Sequence, residues 1–342
     1  MSQTETSNVD SKRAASLERT ALRPVVSVVI PAYNSANFIG ETLDSVFAQT
    51  FEDYEVIVVN DGSPDTLELE RVLARYMNRI VYLKQDNSGP ARARNEAIAK
   101  AAGEYVAFLD SDDLWMPEYL AAQVQTLNND ASLALVCADA KLFGESIHAG
   151  KTFMQRWPSE EPVTFEKLLS MQCAIITMCV VARKRALIDA GLFDERFVRS
   201  EDYDLWLRLA QRGARFAYQH RVLGHRRLHG ASLASNEQAL FESQIEVYQK
   251  LLATLELSPE QRRAVERQIE RCHADLALRL GKREIMAGQY AQAAEALQRA
   301  NLYYHSHKLK LALLSLRLAP RLLRRFYHIY QRFLMRRVTV AV

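Results

Sequence analysis

The sequence contains few cysteines and no long apolar segment. Only four cysteines occur in 342 residues, at positions 137, 173, 179 and 272, and none belongs to a CxxC pair. This spacing is typical neither of a disulfide framework nor of a zinc site, so we expect a reducing, cytoplasmic environment. No apolar run reaches the roughly 18 residues that a membrane-spanning helix needs. The polar N-terminal residues also lack the apolar core of a signal peptide.

Acidic residues are absent from His305 to the end of the chain. This segment carries nine lysines and arginines, so the net charge of +3 divides into +9 for the tail and −6 for the remainder. After Pro320 the sequence predicts a helix whose apolar side chains share one face: Leu322, Leu323, Phe326, Tyr330, Phe333 and Leu334. A basic amphipathic helix indicates peripheral attachment to an anionic membrane surface, here the inner face. The alternative is that this face packs on the catalytic domain or on a second subunit.

A glycine-rich GxGxxG turn is missing after the first predicted strand. From Val25 onward, short β-branched runs alternate with helical patterns; the runs read VVSVVI, EVIVV, IVYL and YVAFL. This alternation predicts an α/β fold, wound in the Rossmann-like manner, with a mostly parallel sheet flanked by helices. Because the first strand leads into PAYN, a dinucleotide-dependent oxidoreductase is disfavoured.

Polar residues follow each of the four predicted strands, in PAYN, NDGS, DNSGPAR and DSDD. In parallel sheets, ligands bind beyond the carboxyl ends of the strands. Asp110 and Asp112 stand two positions apart where the fourth strand ends, and such close carboxylates repel each other unless a cation lies among them. A hard divalent cation, Mn²⁺ or Mg²⁺, binds one or two carboxylates together with phosphate oxygens and water. The alternative is an acidic helix N-cap at Asp113 that holds no ion.

Several motifs in a fixed order resemble the inverting family 2 glycosyltransferases, which have the GT-A fold. The motifs are VSVVIPAYNS, EVIVVNDGSPD, NSGPARARNEAIAKAAGEYVAFLDSDD, GLFDERFVRSEDYDLWLRL and RRLHGAS. They cover roughly residues 25–235. The resemblance implies metal-dependent transfer of a sugar from a nucleotide-diphosphate sugar, with a UDP-sugar favoured. It leaves the sugar and the acceptor open.

The resemblance also implies roles for individual residues. The nucleotide-sugar site would comprise Pro31, Tyr33, Asp61, Arg94 and Asp110, with Asp61 recognising the base. Asp112 would bind the metal directly, joined by Asp110 and by His229. The general base would lie at the Glu201-Asp202 pair. We expect Asp202 to take the proton of the acceptor hydroxyl and Glu201 to assist it or to bind the acceptor.

Each of these residues also has a plainer explanation when taken alone. An Asp-Gly turn such as Asp61-Gly62 is common without any function. Acidic residues in a first helical turn, such as Asp202, often only complement the helix dipole. A lone histidine such as His229 is more often structural than metal-binding. Trp115, beside the acidic cluster, could flank a sugar or simply pack in the core.

The predicted organisation has four parts. Residues 1–23 form a loose tail, 24–235 the catalytic domain, 236–304 a helical extension with one tetratricopeptide-like hairpin, and 305–342 the basic tail. The expected partners are the donor, a saccharide or lipid-linked acceptor, an anionic membrane surface and a second copy of the chain bound through the extension. No nucleic-acid partner is expected. A protein glycosyltransferase or a catalytically silent nucleotide-sugar-binding scaffold remains as an alternative function.

Overall fold

The computed structural model describes residues 23–144, 148–157, 159–230 and 236–339. Its strands form one sheet in the order β3-β2-β1-β4-β7-β6-β8-β5. The strands are β1 (Val26–Ala32), β2 (Tyr54–Asp61), β3 (Val81–Gln85), β4 (Tyr105–Phe108), β5 (Leu114–Trp115), β6 (Leu133–Gly144), β7 (Val180–Arg183) and β8 (Arg215–Leu228). Nearly all of the predicted N-terminal tail lies outside the described residues.

The first half of the sheet is parallel, as predicted. Strand β1 pairs in parallel with β2 and with β4, and β2 pairs in parallel with β3. All residues of β4, and nearly all of β1, are buried, which explains why these segments read as apolar runs without polar alternation. The predicted α/β class is therefore confirmed.

The second half of the sheet differs from the prediction of a mostly parallel sheet. Strand β7 pairs antiparallel with β4 and with β6, and β5 pairs antiparallel with β8. Of these strands, β4 was predicted from sequence, whereas β5, β6, β7 and β8 were not. The first three residues of β7 end the apolar run CAIITMCVVA (173–182), and a short apolar run does not by itself indicate a strand.

Helices connect and flank the strands. Those before residue 212 are α1 (Ile39–Phe47), α2 (Thr66–Leu73), α3 (Pro90–Lys100), α4 (Tyr119–Asn129), α5 (Phe153–Arg156), α6 (Phe165–Leu169), α7 (Lys184–Asp189) and α8 (Glu201–Gln211). A proline at the first position of α3 costs no hydrogen bond, and Gly89 before it takes φ +88°, a conformation that favours glycine.

The rest of the described chain is helical, as predicted. It forms α9 (Glu237–Thr254), α10 (Pro259–Ala287), α11 (Tyr290–Tyr304), α12 (His307–Leu318) and α13 (Pro320–Thr339). Ser258 starts α10 with a capping box to Gln261, and Gly288 ends it in the left-handed conformation. Pro320 begins α13, so the predicted break between the last two helices is present.

The last helices share a small apolar core. Its buried members are Ile285, Ala293, Leu297 and Leu316. A Cβ at Gly281 would lie 2.6 Å from Leu297 Cδ2, so only glycine lets α10 and α11 approach this closely. The two helices thus pack closely against each other as a hairpin.

The chain divides into two compact units. One contains the residues up to Ala140 together with Ile176–Glu195 and Ala214–His225. The other contains Lys141–Ile175, Arg196–Gly213 and the residues from Arg226 onward. Helix α8 therefore belongs to the same unit as the C-terminal helices. In the part of the chain that the structure describes, no helix is long and apolar enough to cross a membrane.

Candidate functional site

Asp61 lies at the carboxyl end of β2 and is almost completely buried. Its Oδ1 accepts hydrogen bonds from Gln85 Nε2 (2.7 Å) and from the Ser88 backbone N–H (2.8 Å), and its Oδ2 accepts one from the Gly89 N–H (2.9 Å). A carboxylate offers about four acceptor positions, so one position on Oδ2 is left for a further N–H donor. Asp61 is therefore an acceptor that three hydrogen bonds hold in a fixed orientation.

The turn after Asp61 requires a glycine at position 62. Gly62 has φ +59°, and a Cβ there would lie 2.3 Å from the backbone nitrogen of Asn87. The loops after β2 and β3 therefore approach each other more closely than any side chain at this position would allow. This contact goes beyond the simple Asp-Gly turn that the sequence indicates.

The loop that contains Pro31 and Tyr33 is fastened to the loop after β2. The Asn34 N–H donates to Ser63 Oγ (2.6 Å), and the Ala36 N–H donates to Asp65 Oδ2 (2.9 Å). The Tyr33 ring is about half exposed, whereas Pro31 lies within β1. Ser63 and Asp65 were not singled out from sequence, although NDGSPD contains both.

Arg94 pairs with Asp110. Arg94 is buried on α3, and its Nη2 lies 2.8 Å from Asp110 Oδ1. The guanidinium also lies over the ring of Phe193, 5.5 Å from its centroid. The structure thus brings together two of the predicted donor-site residues and gives Asp110 a cationic partner within the protein.

The acidic cluster forms a tight turn and does not cap a helix. The Asp113 N–H donates to the Asp110 carbonyl (3.1 Å), and Thr42 Oγ1 donates to the Ser111 carbonyl (3.0 Å). Strand β5 follows directly after Asp113, and α4 begins only at Tyr119. The alternative of an N-cap at Asp113 is therefore wrong. Asp113 is buried, while Asp110 and Asp112 are partly exposed.

The sequence allows Trp115 either to flank a sugar or to pack in the core, and in the structure it packs in the core. It is buried, its Nε1 donates to the Met178 carbonyl (2.7 Å), and its ring stacks on Tyr119 at 4.2 Å between centroids. These contacts fix the position of β5, the strand that follows the acidic turn.

Asp110 and Asp112 are the two partly exposed carboxylates of the turn that a metal ion would use. Within the described residues, no group of three or more His, Cys, Asp or Glu side chains is arranged to hold an ion by itself. Mg²⁺ and similar hard cations usually take only one or two carboxylates from the protein, and phosphate oxygens and water supply the rest. The donor set therefore fits a cation that is completed by the diphosphate of a substrate.

Glu201 and Asp202 open helix α8 in the second unit. Glu201 is buried, and Asp202 is partly exposed with its Oδ1 2.7 Å from the Tyr203 backbone nitrogen. Ser200, just before the helix, has φ +59°, and its buried Oγ finds no hydrogen-bond partner among the described residues. A strained residue of this kind persists only where the surroundings hold it, and such residues cluster at functional sites.

Helix α9 holds the start of α8 in place. Ser243 Oγ donates to the Arg199 carbonyl (2.5 Å), and the Tyr203 hydroxyl lies 3.2 Å from that of Tyr248. Asp204 is fully buried between Arg208 and Lys250. Sequence reasoning missed Asp204 and Lys250. The Asp-x-x-x-Arg spacing within α8 was a signal for half of this network, because residues four apart meet on a helix.

His229 follows β8 and is partly buried. Near it, Arg227 lies over the ring of Phe143, 4.6 Å from the centroid. His229 belongs to the second unit together with Glu201 and Asp202, whereas Asp61, Arg94, Asp110 and Asp112 belong to the first.

Comparison with known proteins identifies the family of the chain. The model of the family described as glycosyl transferase family 2 matches residues 27–187. An uncharacterized glycosyltransferase of Rickettsia typhi is 32% identical over 242 residues, which cover 69% of this chain and 72% of the rickettsial protein. The hyaluronan synthase of Pasteurella multocida is 34% identical over 211 residues, covering 60% of this chain but only 21% of the synthase.

Two solved structures share the fold. The S. aureus TarS fragment 1-349 in complex with UDP-GlcNAc has a TM-score of 0.60 at 18% identity, covering 91% of this chain and 92% of that one. A mannosyltransferase from Pyrobaculum calidifontis, in complex with GDP-Man and Mn²⁺, has a TM-score of 0.58 at 20% identity, covering 90% and 85%. Fold, motifs and sequence identity agree, and the chain belongs to glycosyltransferase family 2.

Proposed function

We propose that the protein is a metal-dependent, inverting glycosyltransferase that moves a sugar from a nucleotide-diphosphate sugar to an acceptor hydroxyl. One observation carries the proposal. A buried carboxylate with a free acceptor position, Asp61, and the partly exposed pair Asp110 and Asp112 all follow parallel strands of the same unit. Ligands bind at this edge of such sheets.

The donor's base would bind at Asp61. The unfilled position on Oδ2 would accept an N–H from the base. Pro31 and the half-exposed Tyr33 would form a wall beside it. Uracil and guanine both present a ring N–H, and we favour a UDP-sugar. Among the similar solved structures, TarS is in complex with UDP-GlcNAc and the mannosyltransferase with GDP-Man.

The diphosphate would be bound through Mn²⁺ or Mg²⁺. Asp112 is the proposed direct ligand, with Asp110 beside it and His229 as a further ligand. When bound, the cation stabilises the charge that develops on the departing nucleoside diphosphate. Arg94 holds the Asp110 carboxylate in position through their 2.8 Å contact.

Asp202 would act as the general base. Its carboxylate takes the proton of the acceptor hydroxyl as that oxygen forms a bond to the anomeric carbon and the bond to the diphosphate oxygen breaks. In-line attack inverts the anomeric configuration. Asp202 is more exposed than Glu201, which suits it better to reach an acceptor and leaves Glu201 in a supporting position.

The acceptor would be a cell-surface polysaccharide or a lipid-linked oligosaccharide precursor. The similar proteins from Pasteurella multocida are named chondroitin synthase and hyaluronan synthase.

We place the enzyme in the cytoplasm, attached to the inner face of the membrane. Its parts would be a catalytic domain (24–235), a helical extension (236–304) and a basic tail (305–342). The extension could also join two copies. A protein glycosyltransferase and a silent nucleotide-sugar-binding scaffold are the alternatives.

A panel of nucleotide sugars tests the proposal. Each is incubated with the full chain and Mn²⁺, and binding is measured by calorimetry and slow donor hydrolysis by release of the nucleoside diphosphate. At least one donor should bind and be hydrolysed only with the metal. Asp112→Ala should abolish the metal-dependent donor binding and hydrolysis. Asp53→Ala, which removes an exposed carboxylate at the opposite end of β2, should not. Metal-dependent binding without any hydrolysis or transfer would favour the silent scaffold.

A further inference from the structure

The last two helices carry an apolar row on each of two faces. One row packs on the core around Ile285 and Leu297; it comprises Leu309, Ala312, Leu313 and Leu316 on α12 and Leu323 and Tyr327 on α13. The other row lies on the surface; it comprises Leu311, Leu314 and Leu318 on α12 and Leu322, Phe326 and Ile329 on α13. We call these six residues the exposed row. Each is between 51% and 76% exposed.

The exposed row follows helical spacing. On α12 its members stand at steps of three and four, and on α13 at steps of four and three, so each set lies on one side of its helix. The opposite sides pack against α10 and α11, which fixes both helices on the protein. The row is thus a preformed apolar surface that nothing covers among the described residues. Exposed rows of large apolar side chains mark interaction sites.

Basic side chains surround the exposed row. Lys308, Lys310, Arg317, Arg321 and Arg325 are all exposed on the same two helices, and neither helix contains an acidic residue. A second copy of this surface would bring like charges together, which is unfavourable. A partner with dense negative charge above an apolar interior satisfies both features.

We propose that the exposed row docks onto the surface of an anionic lipid bilayer, with its apolar side chains between the acyl chains and its lysines and arginines at the lipid phosphates. This inference deepens the membrane attachment of the proposed function: it assigns the contact to α12 and α13 together. It also corrects the face predicted from sequence, because Leu323 packs on the core of the protein. Tyr330, Phe333 and Leu334 have side chains outside the described part of α13.

Both contributions are needed for binding. Apolar side chains of an interfacial helix insert at the boundary of headgroups and acyl chains, and basic residues are attracted by anionic headgroups within about a Debye length. The attraction weakens with salt, because this length falls from about 10 Å at 0.1 M to about 3 Å at 1 M. Attachment should therefore respond both to apolar substitutions and to charge substitutions.

Vesicle flotation with the full chain tests the surface. Vesicles of phosphatidylcholine with phosphatidylglycerol should carry the protein at low salt, and vesicles of phosphatidylcholine alone should not. The triple variant Leu318→Gln, Leu322→Gln, Phe326→Gln should lower the bound fraction at least about tenfold, and so should Arg317→Gln, Arg321→Gln, Arg325→Gln. All six positions are exposed, so neither variant disturbs the fold.

Matched substitutions elsewhere serve as controls. Leu67→Gln removes an equally exposed leucine from α2, and Arg262→Gln, Arg263→Gln, Arg267→Gln removes three exposed arginines from α10. Both controls should float like the native protein. Asp112→Ala should float as well, so a failure of transfer chemistry is distinguished from a failure of docking.

Three results would overturn the proposal. The first is equal flotation of the native protein and the glutamine variants. The second is a native protein that stays unbound at low salt. The third is a native dimer, detected by light scattering, that the leucine and phenylalanine substitutions convert to a monomer without any vesicle binding; the exposed row would then be a contact between two copies.

Discussion

Lys250 on α9 contacts both carboxylate oxygens of Asp204 on α8, at 2.7 and 2.8 Å. Arg208 reaches the same carboxylate, with Nε 2.9 Å from Oδ2. Asp204 is fully buried, so the two cations together replace the water that it has lost. Because Asp204 stands two residues after Asp202, this contact makes the first helix of the predicted extension a support for the proposed general base.

Replacing Lys250 with methionine should destabilise the protein. Removing one partner leaves a buried charge less well compensated, and with Arg208 still present we expect a loss of about 2 kcal/mol in the free energy of unfolding. Urea denaturation measures it. Lys84→Met, at an exposed ion pair with Glu70, is the control and should change the unfolding free energy much less. Equal effects of the two substitutions would show that Lys250 does not support α8.

Asp202→Asn should separate donor binding from transfer. Asparagine keeps the size of aspartate but cannot take a proton, so transfer should fall by about 10²-fold or more while donor binding persists. Initial rates at saturating donor and acceptor measure transfer, and calorimetry measures donor binding. Glu201→Gln is the paired variant and should have the smaller effect on rate. If the two variants exchange these effects, the base is Glu201.

Ser200→Gly should relieve strain ahead of α8. A non-glycine residue at φ +59° costs on the order of 1 kcal/mol, and glycine adopts this conformation freely. Ser200→Ala is the matched control, because it removes the same unbonded hydroxyl but keeps the strain. We expect the glycine variant to be about 1 kcal/mol more stable than the alanine variant in thermal or urea unfolding. A more stable alanine variant would mean that the backbone at this position is not strained.

Local sequence patterns predict the parallel half of the fold and much of the proposed donor site. Strands β1, β2 and β4 are largely buried apolar runs, and Asp61 and Asp110 can be found because they stand where such runs end. The partner of Asp110 is harder to predict. Arg94 stands 16 residues earlier on α3, and only the folded sheet shows that its guanidinium meets Asp110.

Contacts between distant segments escape prediction from sequence. Asp204 and Lys250 are 46 residues apart, and no local pattern joins them. Periodicity likewise identifies the apolar residues of α13 but not the face that packs. Leu322 and Leu323 both fit an amphipathic helix, yet Leu322 is exposed while Leu323 contacts the helical core. Which face of α13 packs on the protein depends on the surface that α10 and α11 present to it, and the sequence of the tail carries no information about that surface.

Stability should fall as the pH rises above about 9. Burial raises the pKa of the Cys137 thiol to about 12 and that of Cys272 to about 11, from a usual value of 9.0. Burial also raises the pKa of the Tyr119 and Tyr203 hydroxyls. Consider a pH between the pKa that each of these groups has in the unfolded chain and the higher pKa that it has in the folded protein. At such a pH the unfolded chain has lost protons that the native protein still holds. In this window a rise in pH therefore favours unfolding, and below pH 8 these groups contribute no pH dependence.

Urea unfolding between pH 8 and 10.5, with reductant present, measures this fall. Cys137→Ala should lower the stability at pH 8, because a buried side chain is lost from β6. It should also flatten the decline by about 1.4 kcal/mol per pH unit above pH 9.5, since one buried thiol no longer titrates on unfolding. Parallel curves for the native protein and the variant would mean that the Cys137 thiol ionises as readily in the folded protein as in the unfolded chain.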